Sequence, residues 1–265
     1  MKPLSSFPSS DRDGIKVILT DIDDTLTTDG NLTAAAYTAL ENLHNAGFGV
    51  VPITGRPAGW CDHIARMWPV DGVVGENGAF YFRYDRKRRI MEQHYSLSDA
   101  VRLEYAQHLD AIKARVIAEV PGAAVASDQA YRVADLAIDF CEDVPPLSDG
   151  DIARIVAIFE EAGAIAKISS IHVNGWFGDY DKLTMSRVFL DRCFGLNVDR
   201  DEDRDRIVYV GDSPNDAPMF GFFPHSVGVA NIKNFVGNLD AEPTYVTDAS
   251  DGAGFVEVAH LLLAG

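Results

Sequence analysis

Basic residues are scarce in this chain: 23 Lys and Arg stand against 40 Asp and Glu, a formal charge of -17. Such a balance argues against a nucleic-acid backbone or an anionic membrane as partner, while a small anion stays possible where a cation offsets the field. Cysteine is scarcer still. Cys61, Cys141 and Cys193 lie far apart with no C-x-x-C pair, which excludes a disulfide framework and a cysteine zinc site and reads as reduced, intracellular thiols. No apolar run approaches the roughly 18 residues of a membrane-spanning helix. Residues 1–13, rich in Ser and Pro, lack the apolar core of a secretion signal. The expectation is a cytoplasmic protein with a short frayed leader. Internal repeats, a P-loop lysine motif and a G-x-G-x-x-G fingerprint are also missing. What remains is 265 residues, 47% hydrophobic, enough for one large domain or two smaller ones.

The chain is organised around residues 14–28, G-I-K-V-I-L-T-D-I-D-D-T-L-T-T. Residues 15–19 have the length and continuous apolarity of a strand buried on both faces, and the run stops at Thr20-Asp21-Ile22-Asp23-Asp24. Three carboxylates crowd the exit of a central strand, the end at which open α/β sheets bind ligands. Residues 33–46 read as a helix closed by Gly47, and 48–53 as a second strand in which Pro52 is awkward, because it cannot donate to a ladder. Thr54-Gly55-Arg56-Pro57 follows, with Pro57 opening a helix to about Met67, and 70–74 reads as a third strand. This alternation predicts parallel pairing with right-handed crossovers.

Then the period changes. Residues 79–83 and 89–94 flank a charged turn as a hairpin, with the run Arg86 to Arg89 a solvated turn. Residues 98–120 read as a long amphipathic helix capped by Ser98. Strands at 123–127 and 132–140 follow, the latter alternating as a half-exposed antiparallel strand should. A helix at 149–162 and strands at 164–169 and 171–173 repeat the helix-strand-strand pattern, an α+β module inserted in a parallel fold. From Asp181 the first style resumes: a helix over 182–194, an acidic, arginine-rich solvated loop at 199–206, and a buried strand at 207–210 that delivers Gly211-Asp212-Ser213-Pro214-Asn215-Asp216. Strands at 226–229 and 245–247 and a helix at 254–264 complete the chain. The fold class expected is α/β, a doubly wound parallel-sheet core of residues 1–82 and 176–265 with an inserted α+β cap at 83–175.

Adjacent parallel strands would bring Asp21 and Asp23, Thr54, and Asp212 into one cleft. A carboxylate attacking a phosphate dianion meets about 4 kcal/mol of repulsion per charge pair at 4 Å with an effective dielectric near 20. A divalent cation is therefore nearly obligatory, and hard oxygens from Asp21 and Asp212 suit Mg²⁺. Lys182, opening its helix, is a candidate to neutralise phosphoryl oxygens. Asp216 sits where it either completes a capping box with Ser213 or serves the site.

In order, Asp21-x-Asp23-x-Thr25, Thr54-Gly55-Arg56, Lys182 and Gly211-Asp212-Ser213-Pro214-Asn215-Asp216 resemble the four motifs of the haloacid-dehalogenase-like (HAD) phosphohydrolase superfamily. The insertion is similar to the type IIB cap of Cof-like and sugar-phosphate phosphatases, and the resemblance covers the whole chain. It implies Asp21 as nucleophile and Mg²⁺ ligand, and Asp23 as general acid, then base, with its main-chain carbonyl on the metal. It implies Asp212 as the other metal ligand, with Asp216 behind it or capping its helix. Thr54, Gly55, Lys182 and Asn215 would bind the phosphoryl group. Arg56 and Asn77 are further candidates to face it, each equally readable as a turn or surface residue; in the cap, Arg132 is the arginine expected to face an anionic substrate, and His172 reads as a surface or core histidine that could touch substrate. The implied activity is Mg²⁺-dependent phosphatase action on a small phosphorylated metabolite, a sugar phosphate or phosphoglycerate type. A phosphomannomutase-like phosphotransferase shares cap and nucleophile. A phospho-receiver signalling protein uses similar residues but lacks the insertion and carries its aspartate after the third strand.

Overall fold

The computed structural model describes residues 1–169 and 171–264. The first aliphatic run forms Val17–Thr20, buried throughout. It lies within a parallel sheet of six strands in the order Lys2–Pro3, Tyr245–Val246, His225–Gly228, Ile207–Gly211, Val17–Thr20, Gly49–Pro52. Successive side chains take opposite faces. Ile18, Val50, Val208 and Val210 join a cluster with Leu40, Ile64 and Phe255, whereas Val17, Leu19, Val51 and Tyr209 join another with Met185, Phe189 and Phe220. Strands apolar on both faces need helices on both, and the doubly wound α/β core is the result.

The inserted unit has its own core. Helices Asp99–Glu119 and Asp149–Glu161 pack on an antiparallel sheet ordered Ile165–Ile168, His172–Trp176, Asp135–Asp139, Ala124–Val125. Leu109, Val116, Leu136, Ile138, Ile155, Phe159 and Val173 fill the space between them. Ser98 and Ser148 cap the two helices, each accepting an N–H from the first turn. The preceding hairpin, Phe80–Asp85 with Ile90–Tyr95, is bonded antiparallel to Val73–Gly75, and its Phe80 and Phe82 lie in a cluster shared with the core helices. We propose that the insertion begins after that hairpin, near residue 98, and that the hairpin stays with the core.

Several local expectations change. The leader is not frayed: Lys2–Pro3 adds a parallel edge strand beside Tyr245–Val246, and buried Phe7 stacks on Tyr245 at 4.7 Å and His225 at 5.1 Å. Two apolar anchors, Leu4 and Phe7, outweigh the polar composition around them. Phe7→Ala is expected to destabilise the chain by about 3 kcal/mol or more, read as a lower denaturant midpoint. The strand Asp135–Asp139 is buried on both faces rather than half exposed. Its carboxylates tolerate this because Asp135 meets Arg132 and Asn174, and Asp139 accepts the N–H groups of Cys141, Glu142 and Asp143. Within the stretch expected as a solvated loop at 199–206, Asp201–Arg204 is a short helix with Asp203 buried against Arg200. The third strand is Val73–Gly75, with a single parallel bridge, Val74 to Ile53, and otherwise antiparallel pairing. Pro52 fits because alternate residues donate inward: Gly49 and Ile53 bond the Lys16 and Thr20 carbonyls at 2.8 Å, and Pro52 turns its missing N–H to the other side.

Candidate active site

Register brings the strand exits together. Thr20 pairs with Val210 on one side and Pro52 on the other, and the Asp21 N–H donates to the Val210 carbonyl at 2.9 Å. Asp21, Asp212 and Thr54 therefore leave the sheet along the same edge.

Asp21, Asp212 and Asp216, all buried, each present a carboxylate oxygen within 4.8 Å of the other two. Lys182 Nζ donates to Asp21 Oδ1 at 2.9 Å and to Asp216 Oδ1 at 2.8 Å. Asp216 also accepts the Tyr209 hydroxyl and the N–H groups of Asp212 and Ser213, at 3.1 and 3.3 Å. The two readings of this residue are thus compatible: it caps its helix and belongs to the carboxylate group. Its approach depends on Gly211, where a Cβ would stand 2.5 Å from Asp216 Oδ2. Asp212 is oriented by Thr25 Oγ1 at 3.1 Å and Asn231 Nδ2 at 3.3 Å, one donor on each oxygen.

The electrostatics are those of crowded, desolvated acids. Burial first, then Asp216 and Asp23, push the Asp21 pKa up to about 7 against the pull of Lys182. Asp212 is raised for the same reasons, burial first and then Asp216 and Asp21. Burial alone would lower Lys182, but the Asp21 and Asp216 carboxylates outweigh it and the ammonium is held charged. Three carboxyl groups share one ammonium, so ionising all of them would leave excess negative charge in a buried space. An oxygen donor set of this kind fits Mg²⁺, and of the three carboxylates Asp21 and Asp212 line the cleft.

Seven of the expected site residues line the cleft: Asp21 and Asp212 at its floor, then Asp23, Gly55, Arg56, Asn77 and Asn215. Lys182 lies beneath, reached through Asp21. Thr54 is buried, its hydroxyl accepting the Arg56 N–H at 3.0 Å, and is not part of the cleft wall. Asn77 adopts the left-handed region at φ 54°. Gly78 beside it, at φ 104°, has no alternative, since a Cβ there would lie 2.0 Å from the Asp181 carbonyl oxygen. This close approach seats the turn against the start of the helix that carries Lys182.

Asp23 is engaged otherwise than expected. Arg56 Nε donates to both its oxygens, at 3.0 and 3.1 Å, and the same guanidinium reaches Glu142 Oε1 of the cap at 3.2 Å. Glu142 Oε2 lies 2.9 Å from His172 Nε2. His172 first, then Arg56, lower the Glu142 pKa to about 2. A chain of polar contacts, Asp23, Arg56, Glu142, His172, thus runs from core to cap. Arg132 lines the cleft too, yet its charge is met by Asp128 and Asp135 at 3.0 Å each, and it donates to the Gly55 carbonyl at 3.0 Å. Sequence reading missed Glu142 and Glu76. Neither sits in a motif, and the only signal for Glu76 was a carboxylate directly after a buried apolar strand.

Residues 18–131 match the family model described as haloacid dehalogenase-like hydrolase. The chain is similar over 94% of its length to a Thermoplasma acidophilum protein of known structure, 98% of which is covered, at 19% identity and a TM-score of 0.69. A haloacid dehalogenase-like hydrolase from Bacteroides thetaiotaomicron is matched at 15% identity and TM-score 0.63, over 94% of this chain and 99% of that one. Sucrose-phosphatase from Synechocystis, solved with sucrose and phosphate, is matched at 15% identity and TM-score 0.63, over 93% and 97%. No curated protein matches the sequence. The match over residues 18–131 agrees with the family read from the motifs, and the solved structures share the fold, an α/β core with an inserted cap. Among the described residues, no helix is long and apolar enough to cross a membrane.

Proposed function

We propose that this hydrolase is a Mg²⁺-dependent phosphomonoesterase acting on a small phosphorylated metabolite of the sugar-phosphate or phosphoglycerate type, through an aspartyl-phosphate at Asp21. The observation that carries the reading is the convergence of Asp21, Asp212 and Asp216 within 4.8 Å at the carboxyl edge of the sheet, with Lys182 bonded to two of them. Asp21, Asp212 and the Asp23 main-chain carbonyl are the groups we assign to Mg²⁺. Bound there, the ion would offset the repulsion between nucleophile and phosphate and polarise a phosphoryl oxygen.

The other roles fall to the chain itself. Lys182 occupies Asp21 Oδ1, which leaves Oδ2 for attack. As the Oδ2–P bond forms and the bond to the leaving oxygen breaks, Asp23 supplies that oxygen's proton; it then takes a proton from the water that cleaves the acyl phosphate. For this Asp23 must be released from Arg56, and an entering substrate that draws Arg56 onto its own oxygens would do so. Thr54, Gly55, Asn77 and Asn215 are assigned to phosphate contact, Thr54 by way of a main-chain adjustment. The sucrose-phosphatase neighbour and the polar cap wall of Ser169, His172 and Asn174 support a hydroxylated leaving group.

The cleft holds about 30 Å³ of free space, room for about two waters. We infer that the cap swings away to admit a substrate, so crystals with and without ligand are expected to differ in the core–cap angle. The direct experiment is a panel of phosphorylated metabolites assayed with Mg²⁺, with a chelator, and with Mg²⁺ restored. Phosphate release that the chelator stops and Mg²⁺ restores is the expected result. Chelator-insensitive release would overturn the metal assignment, and transfer to a second hydroxyl with a bisphosphate requirement would replace the phosphatase by a mutase.

A further inference from the structure

Another buried carboxylate, Glu76, lies apart from the Asp21 group, and none of the chemistry above uses it. Glu76 is wholly buried and sits at φ 43°, a left-handed conformation uncommon outside glycine and asparagine. Its Oε1 accepts the N–H groups of Ala58 at 2.9 Å and Val133 at 3.0 Å. Its Oε2 accepts Val133 at 3.1 Å, Ala134 at 2.7 Å and Asp135 at 3.2 Å. Ala58 opens the core helix that follows Thr54-Gly55-Arg56-Pro57, and residues 133–135 lead into the cap strand Asp135–Asp139. Three consecutive cap amides aimed at one carboxylate make a concave anion cradle, and among the described residues only N–H donors meet either oxygen, the arrangement an ionised carboxylate completes.

The same turn also holds the loop from the core side. Glu76 N–H donates to the Arg56 carbonyl at 3.2 Å and Asn77 N–H to the Thr54 carbonyl at 3.1 Å. From the cap side, Arg132 bonds the Gly55 carbonyl at 3.0 Å. Burial, and next Asp135, raise the Glu76 pKa, while Arg132 and the amides of Val133 and Ala58 oppose them. An apolar contact would hold two units together at lower desolvation cost but would not select one alignment. Directional bonds from both units to one rigid carboxylate do select one, and on opening both partners regain their hydrogen bonds from water.

We propose that Glu76 is the positioning residue that sets the closed cap on the core, its carboxylate locking the cradle at 133–135 to the 54–58 loop. The cap wall of His172 and Asn174 and the loop's Arg56 thereby meet the substrate in a single register. The consequence for turnover rests on the phosphatase reading; the clasp itself does not.

The test is Glu76→Gln in the full chain, which turns an amide NH₂ toward N–H donors. Amide hydrogen exchange at 133–135 is expected to speed up about tenfold or more while the central-sheet amides keep their wild-type rates. With a phosphate ester whose leaving group reaches the cap, KM should rise and kcat/KM fall about 100-fold, whereas acetyl phosphate, too small to reach it, should be turned over within about threefold of wild type. Glu76→Asp, which keeps the charge but cannot span both units, should behave like Gln, and it stands in if the Gln chain does not fold. Unchanged exchange at 133–135, or acceleration of the sheet amides to the same degree, would overturn the proposal. If the wild type itself hydrolyses no phosphate ester, the functional reading fails and the exchange result still decides the clasp.

Discussion

Asp21→Asn is expected to lower the rate on a generic aryl phosphate by about 10⁴-fold or more while leaving the fold intact, the scale of loss seen when a catalytic unit is disabled. The substitution is isosteric, and an amide oxygen in place of Oδ1 still accepts from Lys182, so the 2.9 Å bond that anchors the side chain is retained. What disappears is the second anionic oxygen that attacks phosphorus. Asp23→Asn separates the two halves of the reaction. An aryl leaving group needs little protonation, so one equivalent of phenol should appear in a burst, followed by a steady state slower by about 10²–10⁴-fold because no base activates the hydrolytic water. Rapid-quench measurement of phenol and phosphate, with circular dichroism of both variants, reads this directly. A near-normal rate in Asp21→Asn would remove the nucleophile assignment.

Lys182→Met should produce the largest change in stability. The side chain is buried and its ammonium touches Asp21 and Asp216, both with almost no exposed surface. Removing one member of a buried ionic network leaves its partners uncompensated and costs about 3–5 kcal/mol. For a chain of this size that corresponds to a melting temperature lower by on the order of 10 °C. Because the unpaired charge is negative and made of hard oxygens, Mg²⁺ should recover more of the melting temperature in the variant than it adds to the wild type. Thermal scans of both chains with Mg²⁺ and with chelator test the point. A variant melting within a degree of wild type under chelator would mean that the carboxylates are not held together by this ammonium.

Much of the site could be read without coordinates, for a definite reason. Asp21, Asp23 and Asp212 follow short continuous apolar runs, and a polar residue that ends a doubly buried strand must emerge at a sheet edge. Ser213-Pro214-Asn215-Asp216 could be read as a helix start because capping chemistry is local, although only the folded chain revealed that Asp216 both caps and contacts Lys182. The leader and the strand Asp135–Asp139 depart from the sequence expectation because composition or alternation runs against tertiary partners there. Phe7 finds two aromatic rings, and Asp135 and Asp139 find donors that make their burial affordable.

The amino-acid sequence alone determined the order of strands and helices, the polar exits and the α+β insertion, since periodicity, caps and punctuation act over a few neighbouring residues. Which charges meet was decided by tertiary structure. Lys182 reaches Asp21 across 161 positions, Arg56 reaches Asp23 across 33 and Glu142 across 86, and Glu76 reaches the cap amides across 57 to 59. Hydrogen bonds weaken steeply with small changes in distance and angle, so these pairings follow only from strand register and from how the cap is seated on the core.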